Sequence, residues 1–191
     1  MSFAPVRPLR PAWQIAALAL ICSLAVAASG VAFLGHDALE YFNWNTWLLV
    51  GVGFTMAVGG AAWAAAQWMS PSGRASFWQP ALGVLFVGMG LWLGAEAGPF
   101  QIWPIVICFS FGSAAALAAG LVLIAVFRRT SPLMRYRVAV ATGIVAGFAG
   151  FLVIQMHCPI NEFSHMMLGH ALLPIVWGLA GYLLARFSWA R

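Results

Sequence analysis

The composition excludes several classes of protein before any motif is considered. Of 191 residues, 63% are hydrophobic and 7% are charged, and the mean hydropathy is +0.94. Soluble domains carry a charge on about a quarter of their residues, so a soluble enzyme or a nucleic-acid-binding module is excluded. The composition predicts an integral membrane protein. Its net charge of +5 bears on orientation, because basic residues mark cytoplasmic loops.

Six apolar segments, taken in chain order, are each long enough to cross a bilayer as a helix. The predicted spans are 13–33, 47–69, 77–93, 103–127, 138–156 and 166–185. The sequence therefore predicts an all-α polytopic protein in which residues 1–191 form a single integral membrane domain. The two N-terminal arginines and the first apolar segment also fit a cleaved signal peptide, and this alternative stays open.

The charged residues predict the orientation of the six helices. Six crossings place both termini, the second loop and the fourth loop on one face, and every basic residue falls there. These residues are Arg7, Arg10, Arg74, Arg128, Arg129, Arg135, Arg137, Arg186 and Arg191. The four acids lie in the other loops, at Asp37, Glu40, Glu96 and Glu162. This partition predicts cytoplasmic N and C termini.

Residues with useful chemistry concentrate on the opposite, outer face. Cys158 ends the fifth span, and Cys108 lies about a turn and a half into the fourth span, so we expect the two to lie at similar depth. Cys22 is in the middle of the first span, where a buried, inert thiol is expected. No charged residue lies at the centre of a predicted span, which argues against an ion-coupled transporter. Because no nucleophile, base and oxyanion set is present, we do not expect an enzyme.

Three interpretations of Cys108 and Cys158 remain open from the sequence. They are two unrelated buried residues, a thiol–disulfide pair, or ligands of a soft metal ion together with His165 and His170. The two histidines are five residues apart, which separates them by about 140° on a regular α-helix. A regular helix is therefore not expected to present both to one ion. His170 is expected to face the bundle and to have a partner.

Several of these residues also resemble those of a known family. The segment 5–11 rich in proline and arginine, Cys108 early in the fourth span, the segment 128–132 after it, and the His-Cys-Pro turn at 157–159 resemble the NrsF-like membrane anti-sigma factors. The resemblance implies a multi-pass protein of the bacterial inner membrane that sequesters an extracytoplasmic-function sigma factor. It implies release of that factor on metal or oxidative stress, and it implies that Cys108 and Cys158 form the sensing thiol pair.

The same resemblance defines the expected partners and leaves alternatives. The sigma factor would contact cytoplasmic arginines, of which the candidates are Arg7, Arg10, Arg128, Arg129, Arg135 and Arg137. No direct binding of nucleic acid is expected, and the only ligand expected is a soft metal ion held transiently.

Small residues at 143–147 and 178–181 permit close helix packing within the bundle or in a homodimer. The alternative functions are a small metal or solute transporter and a structural subunit of a membrane complex.

Overall fold

The computed structural model describes residues 11–34, 43–68, 78–130 and 136–188, and almost all of these residues are helical. Six helices follow one another within these ranges. They are α1 (Ala12–Leu34), α2 (Trp44–Trp68), α3 (Trp78–Gly94), α4 (Ile102–Thr130), α5 (Tyr136–His157) and α6 (163–188). Each bound lies within three residues of the corresponding predicted span.

Five of the six helices are long and apolar enough to cross a membrane, namely α1, α2, α4, α5 and α6. Helix α3 is apolar but has 17 residues, which places it at the short end of the range for a spanning helix. The described part of the chain contains no β-strand, only an isolated bridge between Glu96 and Glu162. The prediction of a helical membrane protein is therefore confirmed.

Helix α5 is the centre of the bundle, and it packs against α1, α2, α4 and α6. Its glycines allow backbones to meet directly, because a Cβ at Gly143 would overlap the carbonyl oxygen of Trp177 in α6. A Cβ at Gly150 would overlap the carbonyl oxygen of Gly112 in α4. Membrane helices gain packing energy from such close contact, since lipid gives no hydrophobic drive for association. The small residues of α5 thus serve packing within one chain.

Helix α6 is interrupted by a wider turn near its beginning. It runs as α-helix over Phe163–His165, as π-helix over Met166–Ala171 and as α-helix over Leu173–Ser188. In the π segment the Leu172 N–H donates to the carbonyl of Met167, five residues earlier, at 3.2 Å. Pro174 lies just beyond this turn. A proline has no N–H for the carbonyl four residues earlier, here His170, and its ring clashes with that carbonyl in a regular α-helix.

The beginning of α4, the end of α5 and the beginning of α6 lie at the same end of the bundle. Two backbone hydrogen bonds join the segment after α3 to the start of α6. The Glu96 N–H donates to the carbonyl of Asn161 at 2.8 Å, and the Phe163 N–H donates to the carbonyl of Glu96 at 3.2 Å. Arg137 and Arg186 lie at the other end of α5 and α6, and at about 1.5 Å per residue this is roughly 30 Å away.

Candidate metal centre

The two cysteines singled out from the sequence are neighbours. The Sγ atoms of Cys108 in α4 and Cys158 at the end of α5 lie 3.4 Å apart, with Cys108 donating to Cys158. Both are free thiols in this structure, and Cys158 is buried while Cys108 is half-buried. The expectation that topology places them at similar depth is confirmed. The third cysteine, Cys22, is half-buried in α1 and belongs to no ligand cluster in the described residues.

His165 adds a third ligand to the two sulfurs. Its Nε2 atom lies 3.2 Å from the Cys158 Sγ, and the residue is buried. Its other ring nitrogen, Nδ1, is buried and has no hydrogen-bond partner. A histidine with this environment is not explained by local hydrogen bonding alone, since buried polar atoms are nearly always paired.

His170 is the fourth member, and Gln155 of α5 fixes its orientation. Its Nδ1 atom lies 2.9 Å from the Gln155 Oε1, and because an amide oxygen only accepts, Nδ1 must carry the proton and donate. Nε2 is then the nitrogen with the free lone pair, and it is buried without a hydrogen-bond partner. Metal-binding histidines are commonly oriented in this way by an acceptor on the second ring nitrogen. The expected partner of His170 thus exists, although the sequence did not point to Gln155.

The π turn brings together His165 and His170, which a regular helix was not expected to present to one ion. On a regular helix they would be about 140° apart, but a π turn closes on the fifth residue instead of the fourth. Their ring centroids are 5.1 Å apart, with the ring planes at 78° to each other. Pro174 was the sequence signal for this departure from regular helix, because it disfavours α geometry at His170.

Together the four side chains form a compact set of metal-ligand atoms. One ligand atom from each of Cys108, Cys158, His165 and His170 can be chosen so that all lie within 4.8 Å of one another. In a tetrahedral zinc site, bond lengths of about 2.3 Å to sulfur and 2.0 Å to nitrogen place two sulfurs roughly 3.8 Å apart. They place sulfur and nitrogen roughly 3.5 Å apart. The observed 3.4 Å between the sulfurs and 3.2 Å between Cys158 and His165 are close to these values, and the whole set lies within 4.8 Å.

The surroundings of Cys158 favour its ionised form. The hydrogen bond from the Cys108 thiol holds the pKa of Cys158 below its usual value, burial opposes this effect, and the rings of His165 and His170 lower it further. A thiolate is the form that binds metal and that reacts as a nucleophile. The surroundings of Cys158 therefore favour the form of this thiol that coordinates a metal ion.

The remaining residues named from the sequence lie away from this cluster or outside the described part. His157 is half-buried at the end of α5, and its Nδ1 atom is buried without a partner. Glu162 occupies the N-cap position of α6 but makes no capping hydrogen bond with its side chain. Arg7, Arg10 and Arg135 lie outside the described residues.

Three of the candidate arginines belong to described helices at the opposite end of the bundle. Arg128 and Arg129 form part of the last turn of α4, for which only the backbone is described. Arg137 is exposed in the first turn of α5, and its Nε atom donates to the hydroxyl of Tyr136 at 3.2 Å. These positions agree with a common basic end, but they identify no partner.

Comparison with known proteins adds nothing to the geometry. No family model, no curated protein and no solved structure matches this chain. Function must therefore be inferred from the cluster and from the residues that carry the resemblance.

Proposed function

We propose that this chain is a six-span anti-sigma factor of the bacterial inner membrane that senses a soft divalent metal ion at its outer end. Binding of the ion would release an extracytoplasmic-function sigma factor at the cytoplasmic end. The observation that carries the sensing role is the buried set of two cysteines and two histidines with ligand atoms within 4.8 Å. The sigma-binding role rests on the resemblance to NrsF-like proteins.

The composition of the cluster favours zinc or cadmium as the ion. Thiolate and imidazole are the ligands that such ions prefer, and four of them complete a tetrahedral site. Both cysteines coordinate as thiolates, and their two negative charges balance the two positive charges of the ion. The complex then adds no net charge to a buried site, where an uncompensated charge would be expensive. A hard ion such as magnesium would instead require oxygen ligands.

An oxidant is a second input, favoured by the distance between the sulfurs. Two thiols and one molecule of peroxide give one disulfide and two molecules of water, with both electrons passing from sulfur to peroxide. The Sγ atoms would have to approach by about 1.4 Å to reach a bond length of about 2.05 Å. Metal and disulfide would use the same sulfur atoms, so each input excludes the other.

Helices α5 and α6 are the candidates for transmitting the signal. Both run from the cluster to the basic end, and they are in backbone contact at Gly143 and at Gly147. An ion bound at one end changes partner affinity at the other only if it binds two bundle states differently. The partner surface would be the cytoplasmic arginines, including Arg128, Arg129 and Arg137, which a partner with acidic residues would complement.

Affinity purification from native membranes tests this proposal. Tagged protein is extracted in mild detergent with and without cadmium, and the proteins that remain bound are identified by mass spectrometry. We expect a soluble sigma factor that is retained without cadmium and lost with it. The double variant Cys108→Ser, Cys158→Ser should retain the sigma factor under both conditions, while Cys22→Ser should behave as the wild type.

Other outcomes of this experiment would overturn parts of the proposal. Recovery of integral membrane proteins alone would reject the anti-sigma role and favour a structural subunit. The sensing role would be rejected if wild-type protein kept its sigma factor in cadmium. It would also be rejected if cadmium still released the sigma factor from the double cysteine variant.

A further inference from the structure

The geometry points to Pro174 as a positioning residue of the metal centre. We propose that Pro174 holds the π turn of α6 and thereby makes a four-ligand site out of residues that a regular helix would divide. This inference rests on the proposed metal site, and it concerns how that site is built. Pro174 has no ligand atom, and it lies four residues beyond His170.

The first step concerns the hydrogen bonds of α6. Met166 N–H donates to the carbonyl of Glu162, four residues earlier, and Val176 N–H donates to the carbonyl of Leu172, also four residues earlier. Between them, Leu172 N–H donates to Met167, five residues earlier. The helix is therefore regular on both sides of one wide turn. A π turn of this kind accommodates one additional residue within an α-helix and is often found at functional sites.

The second step concerns why the wide turn lies at this position. In an α-helix the carbonyl of His170 would meet the ring of Pro174 and would lack its N–H donor, which costs about 3 kcal/mol or more in a helix interior. Pro174 itself is fixed against α5, because a Cβ at Gly147 would contact the Pro174 Cα. Regular α geometry is therefore destabilised in the turn that contains His170.

The third step concerns what the turn does for the ligands. His165 lies before the π turn and His170 lies within it, and both are buried with rings 5.1 Å apart. Return to α geometry would remove one residue from the turn and rotate one histidine away by about 100° relative to the other. Cys108 and Cys158 lie on other helices and would stay in place. The site would then offer two sulfurs and one nitrogen.

Cobalt(II) binding to purified protein in detergent tests the proposal, because its spectrum reports sulfur ligands and coordination number separately. Pro174→Ala restores the missing N–H and should retain the sulfur-to-cobalt charge-transfer band. Its visible bands should change as one imidazole is replaced by water, and the affinity should fall by about 10- to 100-fold. Pro104→Ala is the control, since a proline in the first turn of α4 opposes no helical carbonyl.

Deletion of Leu168 provides a second variant, which tests whether Pro174 acts through the helix register. Leu168 is 40% exposed within the π turn, and its removal places the two histidines four residues apart, on one face of a regular helix. Adding this deletion to Pro174→Ala should restore the wild-type cobalt spectrum. A purely structural contribution of Pro174 would not be rescued by shortening the helix.

The outcomes separate this inference from the proposed function. If wild-type protein binds no cobalt or cadmium, the metal site itself is rejected. If it binds and Pro174→Ala shows the same spectrum and affinity, the role of Pro174 is rejected while the site stands. If Pro174→Ala alone fails to fold, the protein that combines Pro174→Ala with the deletion of Leu168 tests the proposal. Loss of the imidazole signal in that protein would overturn it.

Discussion

The two halves of α6 show two ways in which one membrane helix can be used. The outer half, 163–172, contains a π turn and directs two buried histidines towards cysteines on α4 and at the end of α5. The inner half, Leu173–Ser188, is regular and meets α5 through glycines, with a Cβ at Gly181 overlapping the carbonyl of Ala139. Polar side chains determine the contacts of the outer half, whereas glycines allow the close backbone contact of the inner half.

This difference indicates how a cluster of polar metal-ligand side chains can exist in a bundle without disrupting it. Polar groups at membrane depth are tolerated when they satisfy one another, and the cluster confines them to one end. The inner half needs only close packing to hold α6 in place. We therefore expect changes in the outer half to alter metal binding, and changes in the inner half to alter stability.

The largest effect on metal binding is expected from Cys158→Ser. Cys158 is the sulfur in contact with both Cys108 and His165, and a hydroxyl is a poor ligand for zinc or cadmium. Affinity for cadmium, measured by competition with a chelating dye, should fall by more than about 100-fold, beyond the loss typical of outer-shell changes. Cys22→Ser should leave the affinity unchanged, and an equal loss in both variants would contradict the assigned site.

A smaller loss is expected from His170→Ala, which removes one of four ligands. Affinity should fall by about 100-fold, while the charge-transfer band of bound cobalt keeps the intensity of two thiolates. His157→Ala is the matched control, because His157 lies next to Cys158 but outside the ligand cluster. If His157→Ala proved the more damaging change, the fourth ligand would have to be reassigned.

A moderate effect is expected from Gln155→Leu, which removes the acceptor that orients His170. The loss in affinity should be about 10-fold, since the ligand remains but its ring is free to turn. Gln155→Glu keeps an oxygen acceptor and should bind metal at least as well as the wild type. Similar binding by Leu and Glu variants would show that this hydrogen bond does not contribute.

The smallest effect on affinity is expected from Gly143→Ala in α5, at its contact with the inner half of α6. Its Cβ would overlap the Trp177 carbonyl, so the unfolding midpoint in detergent should fall, in line with about 1–3 kcal/mol for overpacking. Cadmium affinity should stay within about twofold, because no ligand contacts this interface. Gly51→Ala meets no atom within 4 Å and should not lower the midpoint. A large loss of cadmium affinity in Gly143→Ala would show that the halves are not separable.

Much of the candidate site was accessible to sequence reasoning, but its most specific feature was not. Cys108 and Cys158 were brought together by counting residues from the helix ends, which works because helices of similar length cross one bilayer. His165 and His170 are among the ligands that the sequence suggests, but the 3.6-residue period of a regular helix argues against their sharing one ion, and the wide turn of α6 has a different period. Gln155 was missed since a polar residue near a helix end has no pattern that names its partner.

The sequence by itself determined that this is a helical membrane protein, because apolar length and hydrogen bonding within each segment are local properties. It also determined the helix bounds to within three residues, and it placed the arginines of α4, α5 and α6 at one end of these helices. Only the tertiary structure decided that α5 lies at the centre and that four ligand atoms converge. Convergence depends on contacts between distant residues, which have no local signature, and on the register of one wide turn, for which Pro174 is a local signal that names no partner.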